Sequence, residues 1–70
     1  MNKSEVGEII KKRREFLEIR QQDLAEMSGI TIRTIHAIES GSANASFENL
    51  EKIATVLGLE IKLEIKKVNG

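Results

Sequence analysis

Glycines at positions 29, 41 and 58 each close a short run of apolar residues at helical spacing, and that punctuation limits what the chain can become. A glycine directly after such a run is a common helix stop. The runs are two or three turns long, so the middle of the chain reads as short helices joined by tight turns. Gln21–Ser28 comes first, with Leu24, Ala25 and Met27 expected to face inward. Ile32–Ser40 follows, with Thr31 as its cap and Ile35 and Ile38 as its inward residues. Phe47–Leu57 is capped by Ser46 and carries Phe47, Leu50, Ile53, Ala54 and Leu57 on one face. Ahead of them a first helix is expected from Ser4 to about Glu18. Ser4 can cap it, and Glu5 and Glu8 lie in the first turns, where the helix dipole favours anions. Val6, Ile9, Ile10, Phe16 and Leu17 supply its apolar stripe, and Gly7 weakens its start slightly.

The end of the chain obeys another period. Residues 59–66, LEIKLEIK, alternate apolar and charged without a fault. Period two is the pattern of a strand with one dry face and one wet face. The chain offers no other strand for it to pair with, and an unpaired amphipathic strand is an aggregation hazard unless something covers it. A partner chain is therefore expected, with Leu59, Ile61, Leu63 and Ile65 as the dimerisation residues. Seventy residues make one domain, divided here into a helical body, 1–58, and a dimerisation strand, 59–67. Val68–Gly70 is expected to fray.

Composition removes several classes of function. The absence of cysteine excludes disulfide staples, a zinc ribbon and thiol chemistry. Without a long apolar run or a signal-peptide pattern, the protein is expected to be soluble and cytoplasmic, with no membrane partner. Eleven basic residues balance eleven acidic ones, so no high isoelectric point argues for nucleic acid. The distribution is uneven all the same. The first twenty residues carry six basic and four acidic side chains, and Lys11, Lys12, Arg13 and Arg14 are consecutive. Such a run on a helix is either a phosphate patch or simply a solvated face. His36 is the only histidine and lacks the partners a metal site needs; no spacing sets a base beside a nucleophile, and no glycine-rich phosphate loop exists. No enzyme, metal or cofactor is expected. Met27 and both phenylalanines read as core, which leaves no aromatic surface for RNA.

The block from Ile19 to Gly41 has the geometry of a DNA-reading helix-turn-helix, with motif limits of about 20–40. Ala25 is small where the next helix crosses, and Gly29 turns the chain sharply. Ile35 and Ile38 anchor the second helix of the motif, leaving Ile32, Arg33, Thr34, His36 and Ala37 outward. Residues 20–41, RQQDLAEMSGITIRTIHAIESG, closely resemble the phage-repressor or Xre family of helix-turn-helix regulators. Gln21, Leu24, Ala25, Gly29, Ile35, Ile38, Glu39 and Gly41 all fall on that family's pattern. The resemblance runs on through residues 46–58 and covers about fifty residues. It implies a mainly α, compact, four- to five-helix domain of the lambda-repressor type whose third helix lies in the major groove of double-stranded DNA.

Carried over position by position, the resemblance sets Ile32, Arg33 and Ala37 against base edges. It sets Thr31, Thr34 and Ser40 beside phosphates, with Gln21 at the start of the second helix. The chemistry suits these roles. Arginine bonds guanine bidentately, isoleucine and alanine meet thymine methyls, and polar donors at helix N-termini hold phosphates. The family also pairs an arginine of the first helix with a glutamate of the third, here Arg14 and Glu39. Two departures weaken the DNA grip. The loop 42–45, SANA, lacks the cation and proline common in the family, and the reading helix carries one cation with Asp23 and Glu26 flanking its approach. Modest affinity per subunit and dimer-dependent binding are expected.

A helical regulator followed by one strand resembles the HipB-type antitoxin branch, in which the terminal strands of two subunits pair across a two-fold axis. In an antiparallel self-pair centred on Leu63, Glu60 faces Lys66, Lys62 faces Glu64 and Ile61 meets Ile65. Centring on Lys62 opposes like charges, which is disfavoured. Centring on Ile61 also pairs Glu60 with Lys62 and stays open. Two functions follow from the resemblance. One is a repressor that binds an inverted repeat as a homodimer, of the antitoxin autorepressor type. The other is an interaction module that neutralises a toxin protein, with DNA binding secondary or lost.

Overall fold

The computed structural model describes residues 1–67. It contains four helices among them: α1 (Lys3–Phe16), α2 (Gln21–Ser28), α3 (Ile32–Glu39) and α4 (Phe47–Leu57). Helix α1 packs across α3 and α4, and α2 packs against both of the same helices. The core between them is aliphatic, built from Ile10, Leu24, Ala25, Ile30, Ile35, Ile38, Ile53 and Leu57.

Local chemistry sets the helix ends. Thr31 Oγ1 accepts from the Thr34 amide at 3.2 Å, and Ser46 Oγ accepts from the Asn49 amide at 3.1 Å. Between α2 and α3, Gly29 sits at φ 75°, a left-handed conformation costly for any residue with a Cβ. No atom lies within 4 Å of where its Cβ would be, so the backbone angle, not crowding, calls for glycine here. Ile30 follows and drops into the core, plugging the turn.

Several expectations need correction. Ser4 is not the cap of α1; it lies inside the helix. Asn2 caps it, with Oδ1 accepting from the Glu5 amide at 2.9 Å and the Asn2 amide donating to Glu5 at 3.4 Å. This reciprocal capping box starts the helix earlier than Ser4 would. Phe16, Met27 and Phe47 are exposed rather than core. In α1 the reason is angular. Phe16 lies about a third of a turn away from Ile10, and the inward stripe beyond Ile10 is taken by Arg13 and Arg14. The expected strand does not form within the single chain. Leu59–Lys67 has no regular secondary structure, because a ladder needs a second strand and none exists among the described residues. The expected frayed end, Val68–Gly70, lies outside the described residues. No helix among them is long and apolar enough to cross a membrane.

Candidate nucleic-acid interface

Two elements build the outward face of the helix-turn-helix. Ile35 and Ile38 are fully sunk in the core, so the opposite side of α3 is turned to solvent. Ile32, Arg33 and His36 are exposed there, with Thr34 and Ala37 half-buried at the edges. Arg33 enters no ion pair among the described residues, which leaves its guanidinium free to meet a base edge. At the N-terminus of α3, Thr31 and Thr34 bond each other through their hydroxyls at 3.0 Å. At its C-terminus, Ser40 and Ser42 hydroxyls lie 3.0 Å apart and both donate to the Ala37 carbonyl. The structure therefore splits the candidate polar residues into two clusters, one at each end of α3, with Arg33 and Ala37 between. Ser42 belongs to the second cluster. Its position in a polar loop gave no periodic signal.

Gln21 stands apart from these. It begins α2 and is half-buried, with Nε2 donating to Glu39 Oε1 at 3.0 Å. One of its two amide hydrogens is thus engaged, and the second makes no hydrogen bond among the described residues. Glu39 also accepts from Arg14, through Nε at 2.7 Å and Nη2 at 2.9 Å. A further Arg14 donor, Nη1, reaches the Ile19 carbonyl at 2.9 Å. Hydrogen bonding to Glu39 raises the Arg14 pKa above the ordinary arginine value, against the opposing pull of desolvation. This network ties α1, the start of α2 and the end of α3 together, so it fixes how α3 is presented.

The charges around the face are largely matched. Asp23 accepts from the Arg20 amide at 2.9 Å and from its guanidinium at 3.0 and 3.1 Å. The side-chain and backbone bonds from Arg20 hold the Asp23 carboxyl below the ordinary aspartate range. Asp23 stays ionised, and the adjacent Arg20 guanidinium offsets its charge. Three of the four residues of the basic run of α1 are engaged as well. Arg14 is paired, Lys12 lies 3.6 Å from Glu8, and Arg13 Nε donates to the Leu57 carbonyl at 2.8 Å, closing the end of α4. That C-terminal cap spans 44 residues of sequence, beyond the reach of any local pattern. No cluster of three or more metal-ligating side chains occurs among the described residues.

Comparison with known proteins agrees with this architecture. A helix-turn-helix family model, HTH_3, matches residues 10–63. Among solved structures, a mutant of the restriction-modification controller protein C.Esp1396I matches with a TM-score of 0.78 and 34% identity, over 83% of this chain and 75% of that one. A search of curated proteins gives no match.

Proposed function

The chain belongs to the Xre-type helix-turn-helix family and is a DNA-binding transcription regulator, and from that premise we propose that it is a repressor acting as a homodimer on an inverted repeat. The observation that carries this reading is the outward face of α3, where Ile32, Arg33 and Ala37 occupy the surface opposite the buried Ile35 and Ile38. Gln21, Thr31, Thr34 and Ser40 serve as phosphate contacts in this reading, and the balanced surface charge makes binding depend on two subunits together. The helical body, 1–58, reads the DNA, and the segment 59–67 pairs with its counterpart through Leu59, Ile61, Leu63 and Ile65.

The biological setting we propose is a HipB-like antitoxin that represses its own promoter and holds a cognate toxin. The likeness to a restriction-modification controller supports a second setting, a regulator serving restriction-modification genes. Both use the same DNA chemistry. The adjacent reading frame separates them: a toxin beside the gene favours the first, a methyltransferase or endonuclease the second.

Arg33→Ala separates a regulator from a module that only holds a protein partner. Removing a bidentate base contact costs about 1–3 kcal/mol at each half-site, so binding to the protein's own upstream DNA should fall below detection in a gel shift. Unchanged binding by this variant would exclude α3 as the reading helix.

A further inference from the structure

We propose that the groove between α1, α4 and the root of the terminal segment seats Ile65 of a second copy of this chain, in a register with Leu63 on the two-fold axis. This rests on the reading of the protein as a dimer paired through its terminal segments. The groove encloses about 260 Å³ and its apolar walls include Val6, Ile9, Leu50, Ile53 and Ile61. Leu59, which packs against the core, and Ile61, 42% exposed, line it from the apolar side of the segment. Glu60 and Lys62 line it as well, but their side chains are largely exposed and pair with each other at 3.5 Å. Beyond Ile61 the same apolar series runs on into water: Leu63 is 99% exposed and Ile65 is 98% exposed.

An apolar groove thus adjoins two bare aliphatic side chains of the same segment, neither of which lines it. A second copy resolves the mismatch. Residues directly opposite in an antiparallel pair point to the same face. With Leu63 on the axis, Ile61 stands opposite Ile65 of the partner subunit, which brings that side chain to the groove wall; symmetry does the same on the other side. Charges on the wet face agree, Glu60 opposite Lys66 and Lys62 opposite Glu64.

The structure also discriminates against the register centred on Ile61, which charge pairing alone allows. There Ile65 of the partner subunit would stand opposite Leu57, but Leu57 is the last residue of α4 and buried. The ladder would stop at Leu59, and both copies of Ile65 would remain in water. Centring on Leu63 lets the whole segment from Leu59 to Lys67 pair.

The natural absence of cysteine makes cross-linking unambiguous. Under mild oxidation, Leu63→Cys alone and the double variant Ile61→Cys with Ile65→Cys should both give covalent dimers, and Ile61→Cys alone should not. Efficient cross-linking of Ile61→Cys alone would overturn the register. The groove is tested by Ile9→Glu, whose site is 43% exposed, against Phe47→Glu, 63% exposed and outside the groove. With folding checked by circular dichroism, sedimentation should show Ile9→Glu weakening the dimer at least about tenfold. Phe47→Glu should change it by less than about twofold. Equal effects would overturn the groove assignment. A wild-type chain that stays monomeric at every concentration would instead overturn the dimer itself.

Discussion

Glu39 accepts three hydrogen bonds with a side chain only 2% exposed, and its main partner, Arg14, is 11% exposed. Such a pair is held in place by the cost of breaking it more than by its net stabilisation. Removing one partner leaves an uncompensated charge in a low-dielectric site, at about 3–5 kcal/mol, whereas replacing both with apolar groups is often neutral. Glu39→Met should therefore destabilise the fold by about 3 kcal/mol in urea unfolding, and the double variant Arg14→Met with Glu39→Met should recover most of that loss. A double variant no more stable than Glu39→Met would mean that the three bonds themselves, not the stranded cation, carry the stability. The pair of Arg14 and Glu39 came from the family resemblance, since the two lie 25 residues apart. The bond from Gln21 could not be read that way. It makes a residue assigned to DNA part of the scaffold that orients α3.

At the level of helices, the crossing of α1 over the end of α3 is set by Gly7. A Cβ there would collide with the Ile38 carbonyl oxygen and lie 2.9 Å from that of Glu39. Gly→Ala inside a solvated helix gains about 1 kcal/mol. Here backbone atoms must move instead, so Gly7→Ala should destabilise by about 1–3 kcal/mol in thermal or urea unfolding. A stabilised variant would show that the crossing can open at little cost. From sequence, Gly7 read only as a weak helix position, because helical periodicity carries no information about a neighbouring helix. At α4 the local signals sufficed, since Ser46 and Gly58 bracket it at its observed limits, whereas at α1 Ser4 competed with the true cap, Asn2. Ile30 was invisible for the opposite reason. It is core without being helical, so no period marks it. The exposed Phe16 shows the same limit, since the inward stripe of α1 passes through two arginines whose burial depends on Glu39 and Leu57.

Across the whole molecule, neutrality and DNA binding are reconciled by where the charges are spent. Arg13, Arg14 and Arg20 hold helix ends or carboxylates, and Arg33 alone stands on the outward face of α3. A single copy then has few contacts to offer DNA, and in the proposed assembly specificity comes from two copies of α3 at a fixed separation. The segment 59–67 brings in that second copy in the proposed assembly, which gives its alternating pattern a strand to pair with. The measurement that tests this most directly is a hydroxyl-radical footprint of the protein on its own upstream DNA. Two protected patches about one helical turn, ~34 Å, apart and related by an inverted repeat are predicted. A single protected half-site at saturating protein, or none, would contradict a dimeric repressor that reads DNA through α3.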